Sequence, residues 1–463
     1  MSTRSETRGL ILLAVPVVIT QVSSMFMGVV DTIMVGHVGV DSLAASALGH
    51  VWLFGTIVLA MGVLQGIDPI VSQGHGARHT HRVGTALQQG WVLAALMSIP
   101  AAAAWLATKP ALLLLGQEAE LAEMARRYVW IQIPSIPLFL WYFVLRQYLV
   151  GRTIMRPAMW VALIANVVNA GLNWVFIFGH LGAPAMGLTG AGLASGITRG
   201  FMFLALLALV LRARHLEGGW VPWSRNAYSL SGMREILHFG LPVGVQLGLE
   251  IWAFEIAMLL SGRLGTHELS ANCIAINLAS IAFKVPLGIS MAATTRVGNL
   301  IGEGRPERAQ TAAWIALGMG AGVMAVSGLL FVTCRHLLPR LYTGDATVIG
   351  LAASILPIAA AFQIFDGTQV VGSGVMRGMG RTRPAAAMNL IGYYGLAIPL
   401  AWCMAFPLGW GLPGLWWGLC LGLAAVAAML TGWIWKRGPA RIDARVVAAP
   451  APAPESPGSI SAP

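Results

Sequence analysis

Carboxylates are scarce in this chain, and several stand inside long apolar runs where no water is available to solvate an ionised group. Those acids are Asp31, Asp68, Glu250, Glu255 and Asp366, and Arg146, Arg199 and Lys284 are cations in similar surroundings. Asp31 lies in the run Gly-Val-Val-Asp-Thr-Ile-Met-Val-Gly, and Thr20, Ser24, Gly28 and Asp31 recur at helical spacing, so they share one face. Such a face is costly against lipid and is expected to border a cavity. A later run places Asn166, Asn169 and Asn173 on one face. Their amides can bond a protonated acid or offer carbonyl oxygens to a cation. Polar glue between helices is the alternative, and the acid tips the reading towards function.

The second half of the chain has its own acids. Glu250 shares a face with Gln246, and Asp366 with Gln363 and Ser373. Two carboxylates with amide and hydroxyl oxygens are hard ligands suited to Na⁺ or to a proton relay. No cation is expected beside them, which argues against a purely structural ion pair. Glu255 and Lys284 fall on consecutive spans and are expected to neutralise each other. Arg146 is expected to snorkel to an interface. Asp68, just before Pro69, either lines an inner vestibule or caps a break in its span, and Arg199 is left without a role. The loop histidines His75, His79 and His81 are read as a solvated face and not as a metal site. Cys273, Cys334, Cys403 and Cys420 show no ligand spacing.

The elements that carry these residues follow from composition. Hydrophobic residues make up 57% of the 463 positions and charged residues 10%, whereas a soluble surface needs roughly a quarter charged. Uncharged runs long enough to cross about 30 Å of hydrocarbon recur throughout. They predict an all-α integral membrane protein of twelve spans. The first six are 9–37, 44–73, 84–107, 126–150, 157–180 and 188–211. The second six are 236–262, 270–297, 311–334, 349–376, 384–406 and 414–435. The implied organisation is a short N-terminus (1–8), a first lobe (9–211), a connector (212–235), a second lobe (236–435) and a disordered tail (436–463).

The net charge of +11 does not read as a nucleic-acid footprint, because the cations are spread over short loops. Arg78, Arg82, Arg152, Arg156, Arg305, Arg308, Arg381 and Arg383 would all face one side. The 181–188 and 407–413 loops have no Lys or Arg, and loop 108–124 holds Glu118, Glu120 and Glu123. The positive-inside rule then places both termini in the cytoplasm. The first apolar run is too long for a cleavable signal peptide and carries Asp31.

The chain also repeats itself at an offset of about 226 residues. Pro16 matches Pro242, Gly36 matches Gly262, Gly39 matches Gly265, and Gly62 matches Gly288. With a one-residue shift, Gly151 and Arg156-Pro157 match Gly378 and Arg383-Pro384. Six spans per copy give both copies the same orientation, so the axis relating them runs along the membrane normal. No HExxH or Gly-x-Ser-x-Gly motif is present, and the chain does not read as an enzyme.

Several segments together resemble the multidrug and toxic compound extrusion (MATE) family, in its NorM-type bacterial branch. They are Pro16 to Gly36, Asn169 to Gly179 (Asn-Ala-Gly-Leu-Asn-Trp-Val-Phe-Ile-Phe-Gly), Pro242 to Glu250, Pro286 to Gly302 and Asp366 to Gly378. The resemblance implies two pseudo-symmetric six-helix bundles in a V, without a cofactor, in the inner membrane of a bacterium. It implies export of bulky, often cationic compounds by alternating access, coupled to inward Na⁺ or H⁺, with a single chain as the working unit. By position it makes Asp31 the acid of the first lobe with Asn169 and Asn173 as partners. Glu250 and Asp366 become the acids of the second lobe, where Na⁺ could bind, and Pro16 becomes a hinge. The rival within transporters is a lipid-linked oligosaccharide flippase, which would need a cationic central cavity.

Overall fold

A computed structural model describes residues 3–212 and 219–442 of the chain. Twelve helices are long and apolar enough to cross a membrane. The first six are α1 (Arg4–Gly36), α2 (Val40–Gly76), α3 (Thr80–Leu106), α4 (Ala119–Gly151), α5 (Arg156–Phe178) and α6 (Leu188–Arg212). The second six are α7 (Leu230–Leu264), α8 (Thr266–Gly302), α9 (Pro306–Thr333), α10 (Ala346–Gly378), α11 (Thr382–Ala405) and α12 (Gly411–Arg441). In hydrocarbon every backbone N–H and C=O must bond within its own segment, which selects helices. Among the described residues no strand occurs.

The number of spans agrees with the sequence expectation, but many ends do not. The helix α7 begins at Leu230 and so absorbs the end of the expected connector. The apolar core of a span is its only clear sequence signal, whereas a 33-residue helix such as α1 is about 50 Å long and overruns the hydrocarbon. Most of the expected tail lies outside the described residues. The N-terminus of α10 has a further local cause: Asp345 Oδ1 accepts from the N–H groups of Thr347 (2.8 Å) and Val348 (3.1 Å). These two bonds hold the exposed Asp345 carboxyl below the usual range.

The duplication is written into the backbone. Gly39 (φ 155°) and Gly265 (φ 153°) precede α2 and α8 in a conformation that side chains other than glycine rarely adopt. Left-handed residues recur in pairs at the same offsets: Arg78 with Gly304, Thr153 with Gly380, and Gly182 with Gly409, with Gly187 and Gly411 paired three residues short of that. Contacts between the halves repeat as well. Gly62 of α2 packs on Gly244 of α7, and its counterpart Gly288 of α8 packs on Val18 of α1, the counterpart of Gly244. A Cβ at Gly240 would run into the carbonyl oxygen of Val63, so α2 and α7 approach backbone to backbone.

These contacts fall in the half of each span nearest the chain ends. An even number of spans puts the start of α1 and the end of α12 on one side. There Glu6, near the start of α1, is 4% exposed. It accepts from Arg296 of α8 at 2.7 and 3.0 Å and from Arg308 of α9. Gln73 of α2 donates to the carbonyl of Gly378 in α10 at 2.9 Å. Arg82 at the start of α3 pairs with Glu235 of α7 at 2.7 Å.

Glu6 therefore ties the first helix to the second half. Glu6→Ala strands two guanidinium groups and should cost roughly 2–4 kcal/mol. A thermal unfolding scan in detergent should show a lowered Tm, and Glu6→Asp should lose less.

Candidate functional site

In the first half, Asp31 is placed by α1, five residues from its outer end and partly exposed. Its partners come from α5, which Pro157 starts in its first turn and the left-handed Gly179 (φ 78°) stops. Asn173 Nδ2 donates to Asp31 Oδ1 at 2.5 Å and also reaches Asn169 Oδ1 at 3.3 Å. Ser195 of α6 donates to Asp31 Oδ2 at 3.3 Å. Both asparagines are fully buried, and Asn169 Nδ2 and Asn173 Oδ1 have no partner within the protein. The site thus offers a donor and an acceptor beside a carboxylate. Asn166 does not join it, since it donates to Ser23 at 2.5 Å. Thr20 and Ser24 return their hydroxyls to the backbone of α1, to Pro16 and Thr20.

Arg199, without a role in the sequence, sits on α6 one turn beyond Ser195. Its guanidinium lies 5.7 Å from the Trp105 ring and 5.4 Å from the Phe139 ring, and donates to Ser135 at 3.3 Å. Its charge acts on Asp31 from beyond ion-pair distance.

In the second half, α10 carries Asp366 and α7 carries Glu250, close enough for their charges to interact. Gln246 of α7 donates to Ser373 of α10 at 3.2 Å, joining the two helices beside the acids. Gln369 lies beside Glu250 and donates through Nε2 to Asn389 Oδ1 of α11 at 2.7 Å. One wide π turn in α11, Ile391–Ala397, holds Tyr393, whose ring is buried near both acids. π turns inside helices often occur at functional positions. The Tyr393 hydroxyl, both polar ends of Gln363 and Gln369 Oε1 have no partner within the protein.

The sequence missed Ser195, Gln369, Asn389 and Tyr393. Asn389 could have been found as the one carboxamide in its span, but nothing in the sequence announces the π turn. A second correction concerns Glu255 and Lys284, which form no ion pair. From the Gly265 turn, Glu255 is about 15 Å up α7 and Lys284 about 28 Å up α8. Glu255 instead stands level with Cys273, which its charge reaches. A third concerns cations near the second acids, because Arg377 at the end of α10 lies within range of Glu250.

Asp68 caps nothing. The helix α2 breaks at Gln65–Gly66, and the Asp68 side chain turns to Gln147 of α4, which donates to both its oxygens at 2.8 and 3.0 Å. Arg377 Nη1 lies 3.8 Å from Asp68 Oδ2. Arg146 points inward to Gln21 of α1, at 3.5 Å, and does not snorkel. Among the described residues, no cluster of three His, Cys, Asp or Glu side chains could hold a metal ion.

The fold and these sites are those of a transporter of duplicated helix bundles. The MatE family model matches residues 16–175 and again 242–403, one copy in each half, and the chain belongs to this family. The multidrug resistance protein NorM of Burkholderia vietnamiensis is 38% identical over 427 residues, covering 90% of this chain and 91% of that one. The NorM protein of Vibrio vulnificus is 33% identical over 433 residues, covering 92% and 94%. Among solved structures, the eukaryotic MATE transporter AtDTX14 superposes with a TM-score of 0.88 at 25% identity, covering 96% of this chain and 99% of that one. An outward-facing multidrug resistance MATE transporter gives 0.83 at 20% identity, covering 93% and 95%, a likeness of fold.

The hydrogen-bond pattern separates two asparagines of one helix face. Asn173→Ala removes the closest donor to Asp31 and should slow gradient-driven dye efflux several-fold. Asn166→Ala, which loses only Ser23, should leave the rate within about twofold, both read against protein level.

Proposed function

We propose that this chain exports bulky, often cationic toxic compounds from a bacterial cell in exchange for Na⁺ or H⁺, by alternating access. The observation that carries the reading is how the membrane-embedded acids are held. Among the described residues, Asp31, Glu250 and Asp366 have no cation within ion-pair distance, and the direct bonds of Asp31 are to a neutral amide and a hydroxyl. Carboxylates kept this way are open to a mobile cation, whether the coupling ion or the drug.

In this mechanism the ion enters from outside and neutralises the acids. The attraction for a cationic drug is lost and the drug leaves. The loaded halves then rock, and return of the ion to the cytoplasm restores the charge for the next drug. Coupling follows because ion and drug draw on the same carboxylates, and a ligand shifts an equilibrium only by its differential affinity. The two ion sites are Asp31 with Asn169 and Asn173, and Glu250 with Asp366, where Na⁺ would find amide and hydroxyl oxygens nearby. Pro16, which leaves α1 one backbone bond short, is the hinge. The protein lies in the inner membrane with both termini cytoplasmic and works as a single chain. Its relatives are multidrug resistance proteins, and a lipid-linked oligosaccharide flippase is not favoured.

Ethidium efflux from vesicles, with Na⁺ and pH gradients imposed separately, tests the reading and names the ion. One gradient alone should drive efflux. Asp31→Asn and Glu250→Gln should each lower the rate at least tenfold at unchanged expression. Normal efflux in both variants would sink the model.

A further inference from the structure

One buried acid stands apart from the ion sites. Asp68 of α2 belongs to the first half and Arg377 of α10 to the second, and their side chains are 11% and 10% exposed. They meet across the seam at 3.8 Å. Arg377 also donates to Gln65, at the break in α2, while Gln147 of α4 holds both oxygens of Asp68. Beside them lies a small cavity bounded by residues of both halves, including Thr295 of α8. All of this sits near the chain-end side, where the halves touch.

Arg377 also reaches into the second ion site. It follows Asp366 by eleven residues, three turns of one helix, so both lie on one face of α10 about 16 Å apart. Between those levels Gln246, one turn before Glu250 on α7, donates to Ser373, one turn before Arg377 on α10, so Glu250 stands against the same stretch of α10 and within reach of the Arg377 charge.

We propose that Asp68 and Arg377 form a latch that keeps the halves closed on the chain-end side, and that Arg377 ties this latch to the occupancy of Glu250. A guanidinium in a dry seam is tolerated there only because anions hold it. While Glu250 is ionised, Arg377 is held directly by Asp68 and, at longer range, by the negative charge of Glu250. Once a cation neutralises Glu250, Asp68 alone remains, and the seam opens more readily. Ion loading in one half is thereby converted into opening between the halves. This rests on the efflux reading, and Asp68 and Arg377 act as positioning residues, not as ligands of ion or drug.

The test needs neither substrate nor gradient, so it can fail separately from the efflux reading. The four native cysteines are replaced, a single cysteine is placed at Thr295, and a membrane-impermeant maleimide is added from the chain-end side. The Thr295→Cys parent should label slowly, since Thr295 is 2% exposed. Asp68→Asn and Arg377→Gln should each label at least tenfold faster, and Glu250→Gln several-fold faster. Arg377→Lys keeps the charge and should stay near the parent. Parental rates in both Asp68→Asn and Arg377→Gln overturn the latch, as does Arg377→Lys labelling as fast as Arg377→Gln. A parental rate in Glu250→Gln overturns the link to the ion site.

Discussion

An ionised side chain at membrane depth has no water to solvate it, so it must find a partner in the protein or face a wet cavity. Nearly every informative feature of this molecule follows from how each buried charge meets that demand. Glu6 and Asp68 are answered by arginines from the opposite half. Asp31 is answered only by neutral donors, and Glu250 has no arginine or lysine within ion-pair distance. The first answer makes a fixed joint between halves, and the second leaves a site that a mobile cation can fill. The same residue type therefore serves opposite ends, decided by what stands within 4 Å.

Tight packing between the halves is the companion requirement. Without a hydrophobic drive between helices, association in lipid depends on close backbone approach and on polar contacts. Glycines at Gly62, Gly240, Gly244 and Gly288 supply the approach, and Gln73 supplies a bond across it. Both kinds of contact are concentrated on one side. A seam whose closest backbone contacts gather on one side suits halves that rock about it.

The two copies share a backbone plan and not a chemistry. The paired left-handed residues show that the turns were duplicated almost position for position. Asp31, however, aligns with Ala257, and Glu250 with Ser24. The latch is equally one-sided, since Asp68 aligns with Thr294 and Arg377 with Val150. Symmetry thus provides two bundles that can move against each other, and the loss of symmetry in the side chains gives each bundle its own ion site.

The span count, the duplication and the acids Asp31, Glu250 and Asp366 were legible in the sequence. Each is a one-dimensional signal: an apolar run of membrane length, a recurring glycine or proline, a charge where charge is expensive. The family resemblance paired Asn169 and Asn173 with Asp31; Asn173 bonds the acid, and Asn169 bonds Asn173. What stood opposite each charge was beyond the sequence. Glu255 and Lys284 occupy neighbouring spans, yet distance from the turn separates them. Asp68 and Arg377 are more than three hundred positions apart, yet they meet. Helix register and the crossing of the halves fix such partners, and both arise from packing of whole faces, which no local pattern encodes.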